Sequence, residues 1–299
     1  MIYHKPVLLE ESVQGLKIKP KGVYADLTFG GGGHSRKILD LLGKNGKLLV
    51  FDQDRDAQKN APDDDRLIFI HSNFRYLQNF IRFYDTGLLD GILADLGISS
   101  HQVDVPDRGF THREDAVLDM RMNQGKSLTA EKVLNDYSRE ELSDLFRMYG
   151  ELPGAWKIAG LIVRAREEKK IRTSGELREI VETVFPGKHR VKFLSMLFQA
   201  LRIEVNDEMG ALEELLNQVP GILVKGGRLV ILSYHSIEDR MVKNFIKTGN
   251  VKGVIEKDFY GHTSPPLKAI NRNVITAGEK EVTVNPRARS AKLRIAEKI

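Results

Sequence analysis

The chain has 299 residues, of which 41% are apolar, and its formal net charge is +5. This length fits one large domain or two ordinary ones, and no apolar run is long enough to predict a transmembrane helix. The absence of cysteine excludes disulfides, thiolate zinc sites and cysteine nucleophiles, and it is typical of a cytoplasmic protein. No histidine pair has the spacing of a structural zinc site, so no metal is predicted. The N-terminus lacks the basic and apolar regions of a signal peptide.

The first hundred residues alternate between strand-like and helix-like segments. Short apolar runs that end near Asp, Gly or Asn predict strands in VYADLTFG, KLLVFDQD, RLIFIHSN and DGILADLG. Helices are predicted between them in HSRKILDLLG and FRYLQNFIRFYDTG, with a further short helix after Asp54. This alternation predicts an α/β fold with a doubly wound, mostly parallel sheet and crossover helices.

A helical pattern replaces the alternation from about Val105 to Glu204. Ser138-x-x-Glu141 and Thr173-x-x-Glu176 predict capping boxes before amphipathic helices. The earlier pattern then returns: a helix that runs into a loop in ALEELLNQVPGILVKGG, a strand in GGRLVILSYHS, a helix in IEDRMVKNFI, a short strand near EVTVN and a last strand in AKLRIAEK. We therefore expect a sheet domain of residues 1–104 and 205–299, interrupted by an all-helical domain of residues 105–204.

Four consecutive glycines, from Gly30 to Gly33, follow the first predicted strand in DLTFGGGGHS. In open parallel sheets, ligands bind beyond the carboxyl ends of the strands, near the point where the strand order reverses. The dinucleotide template G-x-G-x-x-G fails at Ser35 or Arg36, and no Lys-Ser or Lys-Thr completes a P-loop. The glycines therefore indicate a ligand without phosphate that lies on bare backbone, or a tight turn in which they serve geometry alone.

Two acidic residues end later strands at the same predicted edge. Asp52 lies 22 residues after Gly30, where a carboxylate can accept hydrogen bonds from ribose hydroxyls, and Asp95 ends the fourth strand. Asp52 alone is ambiguous, because Asp commonly ends strands. Together with the glycines, the two carboxylates indicate a pocket for a nucleoside with a cationic tail, and S-adenosylmethionine fits that description.

Several blocks along the chain resemble one known family when they are taken in order. They are HKPVLLEE, DLTFGGGGHS, FDQD, DGILADLGISSHQ, DRGFTHREDAVLDMRM, FQALRIEVNDE, GGRLVILSYHSIEDRMVKNF and NPRARSAKLRIAE. This combination resembles the bacterial ribosomal RNA small-subunit methyltransferase H family, also called MraW, nearly from end to end. The resemblance implies a Rossmann-like class I methyltransferase fold with a helical insertion that recognises RNA. It also implies transfer from S-adenosylmethionine to the exocyclic N4 of one decoding-centre, P-site cytidine of 16S rRNA, within the small ribosomal subunit.

The resemblance assigns the contacts with the methyl donor to residues that match its motifs: Gly32, Gly33, His34, Asp52, Phe74, Asp95 and Gln102. Where many members have Asp-Gly-Thr after the first strand, this chain has Leu27 in the middle position, and we expect its side chain to point away from the donor. The Phe74 ring can pack on adenine, and Gln102 can bond the amino-acid end of the donor. Without the resemblance, Phe74 fits an ordinary core, His34 a helix start and Gln102 a loop.

The reaction itself requires a group that aligns a weakly nucleophilic amine and accepts a hydrogen bond from it. Asp95 is one candidate catalytic residue. His235, in SYHS after the returning strand, is the other; it would position the base or relay a proton, or it is a structural histidine at a strand–helix junction. The Asp/Asn-Pro-Pro-aromatic motif of many amino-methyltransferases is replaced by DLGIS from Asp95 to Ser99, so its mechanism cannot be copied.

Basic residues indicate how an RNA substrate would be held. From Tyr260 to Ile299, eight Lys or Arg stand against three Glu. Arg240 fits an RNA contact or an ion pair with Asp239, and any single basic residue fits a solvated surface. As a group, the candidate phosphate contacts predict steep salt dependence: Arg108, Arg113, Arg121, Lys188, Arg190, Lys192, Arg240, Arg287 and Arg289. The target cytidine has to be single-stranded or splayed out for its amine to be reached.

Two other functions are compatible with this fold class. An NAD-dependent oxidoreductase predicts a complete G-x-G-x-x-G, which the chain lacks. A non-catalytic RNA-binding protein of the same fold predicts a degraded donor pocket, whereas Gly32, Gly33, Asp52 and Asp95 are all present. A homodimer is one open alternative for the oligomeric state.

Overall fold

The computed structural model of the protein describes residues 6–185, 187, 190–257, 259–261 and 263–299. The strands are β1 (Val23–Asp26), β2 (Lys47–Asp52), β3 (Leu67–His71), β4 (Leu89–Asp95), β5 (Leu223–Ser233), β6 (Leu267–Ala269) and β7 (Lys292–Lys298). The helices are α1 (Leu9–Leu16), α2 (Gly33–Leu41), α3 (Leu77–Phe83), α4 (Ser100–Asp104), α5 (Ala130–Asp136), α6 (Arg139–Met148), α7 (Ala155–Glu168), α8 (Ser174–Glu182), α9 (Arg190–Asn206), α10 (Glu208–Ile222), α11 (Ser236–Thr248) and α12 (Glu279–Val284).

A seven-stranded sheet has the order β3-β2-β1-β4-β5-β7-β6. The strands β1 to β5 are parallel, whereas β7 runs antiparallel to both β5 and β6. The chain moves outward from β1 to β3 and then returns to place β4 on the other side of β1, so the strand order reverses between β1 and β4. The predicted doubly wound, mostly parallel sheet is confirmed, and ligand sites in such sheets lie at this reversal.

Successive residues of the central strands face opposite sides of the sheet, and each side buries its own set of helices. On one side, Phe51 and Ile231 pack with apolar residues of α3, α10 and α11. On the other side, Val50 and Leu232 pack with α1 and α2. Because both faces are covered, the central strands are apolar throughout their lengths, as parallel strands generally are.

The chain divides into two compact units, one of Met1–Gly97 and Met209–Ile299, and the other of Ile98–Glu208. The first contains the sheet. The second consists mainly of helices around a separate core that includes Phe146 and Ile158, and an isolated bridge joins Val117 to Thr173. Both capping boxes predicted in this unit are present, at the starts of α6 and α8.

Two local predictions for the sheet unit are wrong. EVTVN forms most of α12 instead of a strand, and its helix begins with two glutamates in the first turn, where the helix dipole favours negative charge. The predicted loop after ALEELLNQVPGI is absent, because α10 continues through Pro220 and β5 starts at the next residue after it ends. The apolar face of α10, including Val219 and Ile222, stays buried and keeps the helix on the sheet.

Of the helices that the described part of the chain contains, none combines the length and the apolar character that crossing a bilayer requires.

Replacement of Phe245 tests the helix packing on the sheet. Its side chain is 1% exposed in α11, so Phe245→Ala should lower the free energy of unfolding by about 3–5 kcal/mol in a denaturant titration. Phe83, which is 77% exposed, is the matched control, and Phe83→Ala should change the same quantity by less than about 0.5 kcal/mol. Equal losses in the two variants would contradict the assignment of Phe245 to the core.

Candidate active site

The glycine run forms a tight turn between β1 and α2 in which two positions exclude a side chain. Gly32, the N-cap of α2, has φ +74°, and a Cβ there would lie 2.7 Å from the Phe29 ring. A Cβ on Gly33 would lie 2.0 Å from Cγ of Pro6. Backbone conformation therefore accounts for Gly32 and packing against Pro6 accounts for Gly33, and neither residue places a side chain over the turn.

Asp26 and Thr28 join this turn to its neighbours. The buried Asp26 carboxylate accepts a hydrogen bond from the Ser35 hydroxyl at 2.5 Å and one from the Thr28 N–H at 3.2 Å. The Thr28 hydroxyl accepts the backbone N–H of Asp95 at 2.6 Å. Burial raises the pKa of Asp26. The sequence alone marked Asp26 only as part of a motif, and its buried position could not be predicted from spacing. Leu27 between them lies in the core.

Asp52 holds the opposite side of the turn. Its Oδ2 accepts the Gly30 N–H at 2.8 Å, and its Oδ1 accepts the Asp54 N–H at 2.8 Å. Each carboxylate oxygen can accept a second hydrogen bond, so the group can still bind a pair of hydroxyls. Burial raises the pKa of Asp52 to about 6.

Asp95, at the end of β4, lies between two aromatic side chains. Its Oδ1 accepts a hydrogen bond from the Tyr234 hydroxyl at 2.7 Å, and its Oδ2 lies 3.8 Å from Nδ1 of His34. The side chain is 22% exposed, and removal of most of its water raises its pKa to about 7. No local sequence pattern indicates a role for Tyr234, because its contact with Asp95 joins positions 139 residues apart.

His34 is buried at the start of α2, and burial lowers its pKa. Its Nε2 lies 3.2 Å from the carbonyl oxygen of Val7. A neutral ring that donates from Nε2 has its lone pair on Nδ1, which faces Asp95. The two groups are too far apart for a direct hydrogen bond, so the imidazole borders the Asp95 carboxylate without neutralising it.

His235 caps the N-terminus of α11 and is buried. Its Nδ1 accepts the Glu238 N–H at 3.4 Å, and its Nε2 lies 3.0 Å from Oε1 of the buried Glu238 carboxylate. Glu238 also accepts the N–H of Tyr234 at 3.0 Å. This arrangement favours the structural interpretation of His235 over that of a proton relay, because both ring nitrogens face the same helix start.

The two remaining candidates for donor contacts lie on different units. Phe74 begins a short 3₁₀ helix after β3 in the sheet unit and packs, partly buried, against the core. Gln102 belongs to α4 in the helical unit, where it is buried and its side-chain oxygen accepts the Ser99 N–H at 3.1 Å. The sheet unit therefore brings together Gly32, Gly33, His34, Asp52 and Asp95.

The candidate phosphate contacts differ in exposure. Arg108 is buried and donates to the carbonyls of Arg121 and Met122, so its guanidinium serves the interior of the helical unit. The Arg121 guanidinium donates two hydrogen bonds to the Asp119 carboxylate, one to each oxygen. Lys188 lies outside the described residues. The remaining candidates are exposed or half-buried: Arg113, Arg190, Lys192, Arg240, Arg287 and Arg289.

The structure shows ion-pair partners for two of the charged side chains at the surface. Arg190 forms an ion pair with Glu182 at 2.5 Å. Asp239 accepts a hydrogen bond from Arg294 on β7 at 2.7 Å, because the antiparallel strand brings that guanidinium next to α11, and its pairing with Arg240 stays a prediction.

Comparison with known proteins gives full-length matches. Residues 1–299 match the model of the MraW methylase family. The chain is 55% identical over 299 residues to a ribosomal RNA small subunit methyltransferase H of Parabacteroides distasonis, with 99% of this chain and 98% of that protein covered. A protein of the same name from Flavobacterium johnsoniae is 53% identical, with 100% and 99% covered. An rRNA methylase structure from Streptococcus thermophilus aligns with a TM-score of 0.44 at 12% identity, covering 100% of this chain and 99% of that one.

The raised pKa of Asp95 predicts how stability depends on pH. An unfolded aspartate titrates near 3.8, whereas folded Asp95 titrates at about 7, so the folded protein binds more protons between these values. The stabilisation is complete below pH 3.8 and is lost as the pH rises through 7, with an upper limit of about 4 kcal/mol. Asp95→Asn, measured by denaturant titration between pH 5 and 8, should therefore show a weaker fall than the wild type.

The control for this prediction is Asp64→Asn. The hydrogen bonds from Arg66 lower the pKa of Asp64 to about 2, so it does not titrate in the measured window. This variant should keep the wild-type slope, and an unchanged slope in Asp95→Asn would contradict the assignment.

Proposed function

The chain belongs to the MraW methylase family, and from this premise we propose that it methylates the exocyclic N4 of a decoding-centre cytidine in 16S rRNA. S-adenosylmethionine is its methyl-donating cofactor. Its curated relatives are ribosomal RNA small subunit methyltransferases, which supports small-subunit rRNA as the substrate class. The choice of base and position comes from the resemblance of the motifs.

The residues at the strand reversal fit this donor. The turn at Gly32 and Gly33 offers bare backbone to the amino-acid end, and Asp52 retains acceptor capacity for the two ribose hydroxyls. Arg36 donates to the carbonyls of Gly31 and Asn60, so this neighbouring cation is engaged with backbone. The site therefore offers carboxylates to a ligand, whereas the Arg36 guanidinium is occupied by backbone carbonyls. This arrangement suits a positively charged, phosphate-free ligand better than a dinucleotide.

The single observation that carries the proposal is the position of Asp95 at the end of β4. The bound donor supplies an electrophilic methyl group. Asp95 accepts an N–H hydrogen bond from the cytosine amine, which returns electron density to the nitrogen and aligns its lone pair. It then receives the proton that this nitrogen loses. A carboxylate with a pKa of about 7 is suited to exchange that proton at neutral pH.

The substrate side of the proposal rests on charge and on the second unit. The helical unit, Ile98–Glu208, would recognise RNA, with Arg113, Arg190 and Lys192 among its phosphate contacts. Arg240, Arg287 and Arg289 would hold phosphates from the sheet unit. The substrate is the assembled or nearly assembled small subunit, in which the target base is single-stranded and reachable.

Transfer of labelled methyl groups onto unmodified small ribosomal subunits tests the function. We expect one methyl group per subunit, and mass analysis of the nucleosides should identify N4-methylation of cytidine. Asp95→Asn should retain donor binding within about tenfold, measured by calorimetry, while turnover at saturating donor falls by at least about a hundredfold. The control is Asp85→Asn, at an exposed aspartate, which should leave turnover unchanged. Near-normal turnover in Asp95→Asn would sink the proposed role.

Charge reversal in the tail tests the RNA contacts. Arg287→Glu with Arg289→Glu should weaken binding of subunits and reduce the slope of log affinity against log salt by about 1 for each lost phosphate contact. Donor affinity should stay the same. The matched control is Lys44→Glu with Lys47→Glu, which makes the same charge change at exposed positions beside the amino end of β2. Equal losses in both double variants would indicate a general charge effect and contradict a local contact.

A further inference from the structure

Residues 6–8, here called the N-terminal strap, lie on the donor turn. Pro6 occupies the space that a side chain on Gly33 would need. The Val7 carbonyl lies 3.2 Å from Nε2 of His34, and Val7 and Leu8 belong to the same buried cluster as Phe29 of the turn. The strap therefore packs on Gly33 and lies next to His34, two of the positions that would seat the donor.

The strap is held in an unfavourable backbone conformation. Leu8 has φ +49° and ψ +42°, in the left-handed region that a branched apolar residue rarely adopts. Such a residue costs about 1–3 kcal/mol and persists only where its surroundings enforce it. Burial of the Leu8 side chain supplies one constraint.

Glu281 supplies the second constraint from the far end of the chain. Its Oε1 accepts the backbone N–H of Leu8 at 2.8 Å, a contact between positions 273 residues apart. Glu281 lies on α12, in which no sequence motif indicates a function.

The charge of the same carboxylate also acts on Tyr234. Burial is the main cause of the raised pKa of Tyr234, and the charges of Asp95, Glu238 and Glu281 add to it. Tyr234 in turn donates its hydroxyl to Asp95. Glu281 therefore acts on the Tyr234 hydroxyl through its charge and on the strap through a hydrogen bond.

We propose that Glu281 is a positioning residue for the methyl-donor site, which it orders by fixing the N-terminal strap against Gly33 and His34. This inference deepens the proposed function and rests on it for the identity of the ligand. Without the carboxylate, the Leu8 N–H loses its acceptor and Leu8 can relax toward ordinary backbone angles. Pro6 and Val7 then leave the turn, and the donor has to order them when it binds.

Three single variants test this role, with donor affinity measured by calorimetry and exchange of the Leu8 amide by NMR. Glu281→Ala should weaken S-adenosylmethionine binding about fivefold to tenfold and accelerate amide exchange. Glu281→Gln keeps an oxygen acceptor and should restore both quantities to within about twofold. Glu279→Ala removes the same charge from an exposed position on the same helix and should change neither.

Turnover separates positioning from general destabilisation. In Glu281→Ala the KM for the donor should rise, while kcat at saturating donor stays within about twofold, because bound donor reorders the turn. If this variant does not fold, Pro6→Ala replaces it, since it removes the ring from Gly33 without changing Glu281. It should weaken donor binding in the same direction.

Several results would overturn the inference. They are wild-type donor affinity in Glu281→Ala or Pro6→Ala, a loss in Glu281→Gln as large as in the alanine variant, or an equal loss in Glu279→Ala. Wild-type protein that binds donor but does not methylate subunits refutes the proposed substrate and leaves the positioning role supported by the binding series. Wild-type protein that binds no S-adenosylmethionine overturns both.

Discussion

The hydrogen bond from the Asp95 backbone to the Thr28 hydroxyl joins the ends of β1 and β4, where the strand order of the sheet reverses. In open parallel sheets, ligands bind beyond the carboxyl ends of the strands at such a reversal. Asp26, the last residue of β1, accepts a hydrogen bond from Ser35 in the first turn of α2. The glycine turn and the backbone of Asp95 are thereby held at the same place by short contacts from the partly buried Thr28 hydroxyl and the buried Asp26 carboxylate.

Desolvation makes this edge chemically distinct from the rest of the surface. Burial raises the pKa values of Asp26, Asp52 and Asp95, so the folded protein holds carboxyl groups where their ionised forms are unfavourable. A cationic ligand reverses this balance, because its charge stabilises carboxylates that have lost much of their surrounding water. The site therefore destabilises the folded protein near neutral pH in the absence of ligand, and ligand binding recovers that free energy.

Local signals predicted much of this structure, and long-range contacts escaped prediction. Strand–helix alternation gave the sheet, and S/T-x-x-E spacing gave the starts of α6 and α8. EVTVN was misjudged because its β-branched residues favour a strand, whereas in the folded chain the segment has no strand partner and begins with acidic residues. Asp95 was found at the end of its strand, but its partner Tyr234 lies 139 residues away and only the parallel pairing of β4 and β5 brings them together.

Segments from near both ends of the sequence meet beside the donor turn, where Leu8 bonds Glu281. The bond from Leu8 to Glu281 joins positions 273 residues apart, so it exists only where α12 is docked beside the strap. A contact of such sequence separation carries a large loop-closure entropy and therefore depends on the rest of the fold. The strap that borders Gly33 and His34 is consequently tied to the same C-terminal segment that contains Arg287 and Arg289.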